Sequence, residues 1–282
     1  MAINEYYSKR KGSQIDTISM AQACYSGIEL GHSCVFSNTE SKTTFCGGIL
    51  VKLDDFEEEN FTDSSEDSSV SDSSECSDDN VPRWIFVGIS VGDSLIYRYS
   101  TSTMEVKELT VSDRTGGVRD AGGHLGGKEP DLKNMAYHCC LANEGDLFIA
   151  VSDGVHDNLD PEVLKCSLAE SGCKKPPNVS TWADCTPEVK NELKRQFKED
   201  KLLEIIESAD DTSPYSITNA ILKAVEEITY EHRKAYEEGS RLQRDWDKMG
   251  EEERNKLNKW VQETLKKPKG KFDHVTCLCV QA

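Results

Sequence analysis

The sequence predicts an α+β fold in which an antiparallel β-sandwich is flanked by helices. Short apolar runs of strand length recur along the chain, and long amphipathic segments separate the last two of them. With 282 residues and 37% hydrophobic content, the chain can build one sizeable core. We expect a single domain over residues 1–282 with an acidic, serine-rich insert at 54–80. The predicted strands are 43–53, 84–91, 95–99, 147–151 and 275–280.

The first half of the chain is predicted to contain a helix and a long hairpin. Residues 15–37 have apolar side chains partly on one face, which indicates a helix. The strand 43–53 follows, with a Gly47-Gly48 break, and 84–91 is the next strand. We interpret these two strands as one hairpin with a greatly extended loop. Gly92-Asp93-Ser94 is expected to interrupt a strand that resumes at 95–99.

The extended loop has an unusual composition. Residues 54–79 contain twelve Asp or Glu, eight Ser and no Lys or Arg. So few apolar residues cannot offset the entropy of ordering, which predicts disorder. Ser64 and Ser69 each have an acid three residues on, which suits acidophilic kinases, although a plain solubilising loop fits equally well.

The second half combines a glycine-rich loop with helices. Residues 112–136 resemble a surface flap, since no GxxxxGK[ST] spacing is present. Apolar residues at four-residue spacing predict two helices, one through Val189, Leu193 and Phe197 and one through Ile217, Ile221 and Val225. Ser213-Pro214 suits the start of the second helix. Residues 229–268 are highly charged and are expected to form an exposed helix or helical hairpin that covers a sheet.

Bulk composition excludes several functional classes. The net charge of -18 argues against nonspecific binding to nucleic acid or to anionic membranes. Neither a spanning apolar run nor the apolar region of a signal peptide is present. The eleven cysteines include no CxxC pair, and His138-Cys139-Cys140 is better explained as part of a strand. Reduced thiols in the cytoplasm or nucleus are therefore expected.

Acidic residues stand at the borders of three predicted strands: Asp93, Asp153 and Asp273. Asp153 follows the apolar run 147–151 and precedes a glycine, which suits a site for a hard metal ion. A turn in which Asp153 only caps a helix that starts near Val155 fits the pattern equally well. Strand ends on one side of a sheet can converge, and carboxylates are ligands that Mg²⁺ or Mn²⁺ prefers.

Three motifs in order extend this pattern: VGDSLIYRY at 91–99, GDLFIAVSDGVHDNL at 145–159 and FDHVTCLCV at 272–280. They resemble motifs of the metal-dependent serine/threonine protein phosphatases of the type 2C (PPM) family, in the family's order and with a glycine flap between the first two. The resemblance runs from about residue 15 to the C-terminus. It implies a PPM-type fold whose N-terminal strands are missing here, and hydrolysis of phosphoserine or phosphothreonine in proteins.

The resemblance also implies site residues. Asp153 and Asp273 match two carboxylates that hold a catalytic Mg²⁺ or Mn²⁺, and Asp93 matches an acid associated with a third, looser metal. In such sites, two metals activate a bridging water, so no protein nucleophile is needed. Ser152 is therefore not a nucleophile candidate.

One part of the family pattern has no counterpart. The sequence contains no DGHGG motif, whose Asp bridges both metals in the family, and neither Glu5, Arg10 nor Asp16 has the required spacing. Three hypotheses follow: a phosphatase with a reduced metal site, a catalytically impaired phosphatase-like protein that binds phosphoproteins or a regulatory partner, or a truncated product of an active phosphatase. We expect weak metal binding and little hydrolysis.

Overall fold

The computed structural model describes residues 17–38, 41–53, 82–110, 121–243, 246–265 and 268–282. Two antiparallel sheets form the centre of the fold. One has the strand order β2-β3-β7 and the other the order β5-β4-β8-β9, and β1 pairs with β6 in a separate two-stranded sheet. The α+β prediction is therefore confirmed. The strands are β1 (Lys42–Thr43), β2 (Phe45–Lys52), β3 (Trp84–Val91), β4 (Leu95–Ser100), β5 (Glu105–Glu108), β6 (Leu125–Gly126), β7 (Ala136–Ala142), β8 (Leu147–Val151) and β9 (Cys277–Gln281).

The predicted hairpin between β2 and β3 is confirmed. The two strands pair antiparallel along their whole length, from Phe45 opposite Val91 to Lys52 opposite Trp84. Beyond the last pair, the Leu53 amide donates to the Arg83 carbonyl at 2.6 Å. The acidic insert that joins the strands lies outside the described residues.

The expectation that β3 resumes as β4 is wrong, because the chain changes sheets at Gly92-Asp93-Ser94. β3 pairs with β2 and β7, whereas β4 pairs with β5 and β8. Gly92 has a φ of 95°, which a residue with a Cβ rarely adopts. The Asn134 side chain accepts from the Gly92 amide and donates to its carbonyl. The short polar segment is thus a corner that places Asp93 at the rim of the sandwich.

Apolar side chains fill the space between the two sheets and beneath the helices. Phe86 of β3 stacks on Phe148 of β8, with ring centroids 4.5 Å apart. On the outer face of the β2-β3-β7 sheet, helix α1 (Thr17–Asn38) buries Cys24 and Ile28. This helix was predicted over 15–37, and its first described residue is Thr17.

Two long helices cover the outer face of the four-stranded sheet. They are α3 (Pro187–Glu207) and α4 (Pro214–Gln243). Of the apolar positions predicted at four-residue spacing, Val189 is half-buried, and the other five are buried as predicted: Leu193, Phe197, Ile217, Ile221 and Val225. The Ser213 hydroxyl accepts from the Ser216 amide at 3.2 Å, which confirms the predicted start of α4.

The charged C-terminal segment forms a hairpin of helices. α4 continues to Gln243, and α5 (Glu251–Leu265) packs back against it, with Val261 close to Gly239. The α4 residues that pack with Cys277 and Cys279 of β9 are Ile217, Ile221 and Val225, which precede this segment. The expectation that the segment covers a sheet is therefore not met by α5, which lies on α4. No helix among the described residues is long and apolar enough to cross a bilayer.

Candidate functional site

The end of β8 leads into a short helix that brings acids to the rim of the sandwich. Helix α2 (Asp153–His156) continues into a 3₁₀ turn at Asp157–Leu159. Asp153 is the first residue of α2 and not its cap, since the cap position is Ser152. A Cβ on Gly154 would lie 1.9 Å from the His274 carbonyl oxygen. Glycine at this position therefore lets the segment before β9 approach the turn.

The side chain of Lys271 lies at the centre of this arrangement. Its Nζ donates to Asp153 at 2.7 Å, to Asp157 at 2.9 Å and to Asp273 at 2.9 Å. Two of the three sequence-predicted acids, Asp153 and Asp273, thus meet around one cation. Asp157, which is 4% exposed at its side chain, joins them as a third acid.

The third predicted acid, Asp93, lines the same cleft. The cleft has a volume of about 570 Å³ and lies between the β3–β4 corner, the glycine-rich flap and the segment before β9. Its acidic and basic lining residues are Lys42, Asp93, Asp131, Lys133, Asp153, Lys271 and Asp273, and His124 lines it as well. The flap contributes backbone at Ala121, Gly122 and Gly123; residues 111–120 lie outside the described part of the chain.

A buried histidine connects the two sides of the cleft. His156 is 3% exposed, and its Nε2 donates to the Asp93 carbonyl at 2.8 Å. Its Nδ1 lies 3.3 Å from the Asp157 carboxylate. His156 therefore ties the β3–β4 corner to the 3₁₀ turn that carries Asp157.

The backbone of Lys271 is held by the side chain of Asn158. The Asn158 Oδ1 accepts from the Lys271 amide at 2.7 Å, and its Nδ2 donates to the Lys271 carbonyl at 2.9 Å. The same Nδ2 donates to the Gly154 carbonyl at 2.7 Å. On the preceding residue, the Gly270 amide donates to the Val163 carbonyl. These contacts fix the position of the Lys271 backbone, from which its side chain extends toward the acids.

The ion cluster changes the acidity of its members. Burial acts to lower the pKa of Lys271, but hydrogen bonds to Asp153, Asp157 and Asp273 outweigh it and raise the pKa above its ordinary value. Burial likewise acts to raise the pKa of Asp273, and the bonds from Lys271 and from the His274 amide lower it. Lys271 is therefore a cation and Asp273 an anion at neutral pH.

A divalent metal does not fit this arrangement. Mg²⁺ takes oxygen ligands at about 2.0–2.1 Å, whereas the point shared by the three carboxylates is filled by an ammonium group that would repel it. Among the described residues, no three His, Cys, Asp or Glu side chains meet in a way that could hold a metal ion. The assignment of Asp93, Asp153 and Asp273 as metal ligands is compatible with their common cleft only if Lys271 moves away.

Sequence reasoning missed the role of Lys271, although a signal for it was present. Side chains two residues apart in an extended segment point to the same side, so Lys271 and Asp273 were candidates to share one site. No disulfide joins the ten cysteines in the described part of the chain, and His138 to Cys140 lie in β7 as predicted.

Comparison with known proteins supports the resemblance stated above. No family model matches the chain. A PP2C-like domain-containing protein of Drosophila melanogaster is 35% identical over 113 residues, which are 35% of this chain and 16% of that protein. The chain thus aligns with only a small part of this relative's length. This relative supports the PP2C-like resemblance that the three motifs indicate.

Solved phosphatase structures show a weaker likeness. The phosphatase domain of SpoIIE from Bacillus subtilis aligns over 99% of this chain and 69% of its own, with 10% identity and a TM-score of 0.39. The serine/threonine phosphatase PstP/Ppp of Mycobacterium tuberculosis aligns over 50% of this chain and 49% of its own, with 12% identity and a TM-score of 0.24. Neither likeness assigns an activity to this chain.

Proposed function

We propose that this chain is a PP2C-like domain that recognises phosphoserine- or phosphothreonine-bearing segments of proteins at the cleft. The observation that carries the proposal is the convergence of Asp93, Asp153 and Asp273 in one cleft whose rim also bears Lys42 and Lys133. The motif positions of the three acids resemble those of phosphatases that act on such segments.

The rim supplies groups that suit a phosphorylated segment. Lys42 is exposed, so its ammonium group can meet an incoming phosphate. Lys133 is 62% exposed at its side chain and pairs with Asp131 at 3.2 Å, so a phosphate would compete with Asp131 for its ammonium group. Residues 121–123 of the flap also line the cleft. Lys271 forms ion pairs with three carboxylates of this site. Its positive charge reduces the electrostatic repulsion between those carboxylates and a phosphate.

A fluorescent phosphopeptide and its unphosphorylated twin test this proposal by anisotropy. We expect binding of the phosphopeptide alone, and weaker binding by a variant that combines Lys42→Ala with Lys133→Ala. Lys223→Ala, on the exposed side of α4, is the matched control. Equal affinity for both peptides would refute phosphate recognition at this cleft.

Mg²⁺- or Mn²⁺-dependent hydrolysis of phosphoserine and phosphothreonine is the second candidate function. It is favoured by the placement of the three predicted acids, and it would make the chain a protein serine/threonine phosphatase. Lys271 stands against it, because the cluster in its present form does not fit a metal. Release of phosphate from a phosphopeptide or from p-nitrophenyl phosphate in the presence of Mn²⁺ distinguishes the two functions.

A further inference from the structure

We propose that the ammonium group of Lys271 is a built-in cation that stands in place of a divalent metal, so that the cleft keeps its shape without a metal ion. This inference deepens the proposed function and rests on it for its biological meaning. Its test measures only metal binding and stability, so the result does not depend on whether the cleft binds phosphopeptides.

The hydrogen-bonding capacity of the ammonium matches its surroundings. A lysine ammonium has three N–H donors and no acceptor. Lys271 faces three carboxylates, Asp153, Asp157 and Asp273, at 2.7, 2.9 and 2.9 Å. These are typical lengths for charge-assisted N–H···O bonds and are longer than metal–oxygen bonds. Each carboxylate is thus bound by the same cation, as it would be in a metal site.

The cation is preorganised by the fold. Asn158 is fully buried and binds both the amide and the carbonyl of Lys271. Gly270 has a φ of 84°, and a Cβ there would lie 2.9 Å from the Asn158 Oδ1. His232 contacts the Gly270 carbonyl at 3.1 Å. The 3₁₀ turn and α4 therefore fix the backbone from which the Lys271 side chain starts, and the three ion pairs hold its ammonium among the acids.

Removal of the ammonium would leave three carboxylates without their common partner. Such a cluster repels itself and gains from binding a divalent cation. The inference therefore predicts that the wild type has no metal affinity at this cluster and that replacement of Lys271 creates it. Replacement of a true metal ligand would instead reduce metal affinity.

The experiment compares the wild type with Lys271→Ala in MnCl₂ or MgCl₂ alone. We expect the wild-type melting temperature to be insensitive to either ion, and Lys271→Ala to melt lower without metal. Mn²⁺ at about one hundred times its Kd should then raise the melting temperature of the variant by about 5–10 °C. Electron paramagnetic resonance should count one bound Mn²⁺ per variant chain and none per wild-type chain.

Two further variants serve as controls. Lys269→Ala removes an exposed lysine from the same segment and should behave as the wild type. Lys271→Ala combined with Asp157→Asn should lose the gained Mn²⁺ affinity. Tight Mn²⁺ binding by the wild type that Asp153→Asn abolishes would overturn the inference, as would a folded Lys271→Ala variant that binds no Mn²⁺.

The outcome stays decisive if Lys271→Ala fails to fold. In that case resonance measurements on the wild type and on Asp153→Asn decide, because a bound Mn²⁺ that Asp153→Asn removes contradicts a built-in cation, and the absence of such a Mn²⁺ supports one. Failure to bind phosphopeptides together with the expected metal results would refute the proposed function and leave the role of Lys271 intact.

Discussion

Asn158 holds the backbone of Lys271 on both sides, although the two residues lie 113 positions apart in the chain. One comes from the 3₁₀ turn after β8 and the other from the segment that enters β9. β8 and β9 are neighbours in the same sheet. The two hydrogen bonds therefore join the turn that follows β8 to the segment that precedes β9. They also aim the Lys271 ammonium at Asp153, Asp157 and Asp273.

Replacement of Asn158 should loosen this closure. In Asn158→Ala, the amide and carbonyl of Lys271 and the carbonyl of Gly154 all lose their partner. Buried groups without partners are costly, so we expect the free energy of unfolding to fall by about 2–4 kcal/mol. Urea unfolding measures this loss. Asn191→Ala, on an exposed position of α3, should change stability little, and an equal effect of both variants would contradict the assigned role.

Replacement of Gly154 should disturb the approach of the segment before β9. A Cβ in Gly154→Ala would lie 1.9 Å from the His274 carbonyl oxygen, which is backbone and cannot move away alone. We expect a loss of more than about 2 kcal/mol in unfolding free energy, measured by chemical denaturation. Gly27→Ala is the matched control: it lies in helix α1 with open space around its Cβ position, and should be neutral or stabilising by about 0.5–1 kcal/mol. A tolerated Gly154→Ala would show that β9 does not depend on this contact.

The Lys271 cluster should make stability depend on acid pH. The pKa of Asp273 is lowered in the folded protein from an ordinary value of 3.8. A lowered carboxyl pKa contributes stability above the unfolded-state value, and the contribution disappears as pH falls through the folded-state value. The stability difference between wild type and Asp273→Asn should therefore be constant near neutral pH, begin to shrink as the pH falls through the ordinary value of 3.8, and be lost only below the lowered folded-state pKa. Urea unfolding of both proteins across this range measures it; a difference that grows on acidification would contradict the ion pair.

Deletion of residues 54–79 should leave the thermal melt nearly unchanged. The flanking strands β2 and β3 pair in full register up to Lys52 and Trp84, so their pairing is complete before the insert begins. A shorter connection also lowers the entropy cost of closing the loop, which changes only slowly with length. Differential scanning calorimetry of the deletion variant measures the effect. A large destabilisation would show that the acidic tract packs on the domain.

Periodic patterns allowed much of the fold to be predicted from sequence. Alternating apolar runs mark the β2–β3 hairpin, and four-residue spacing marks α3 and α4, because one buried face is enough to specify each element. The change of sheet at Gly92 could not be predicted, since an apolar run carries no information on which neighbour it pairs with. The hairpin of α4 and α5 was one of the two forms expected for residues 229–268, whereas the choice between them depended on the tertiary structure.

The sequence by itself determined the PP2C-like motifs, and with them the candidates Asp93, Asp153 and Asp273 at strand borders. Only the tertiary structure decided that a lysine lies among them. Lys271 lies two residues before Asp273 in sequence, but it meets Asp153 and Asp157 only because β9 pairs with β8 and Asn158 binds the Lys271 backbone. Which charged side chains lie together at a site depends on the distances between them. Those distances are set only when strands that are remote in sequence pair with each other.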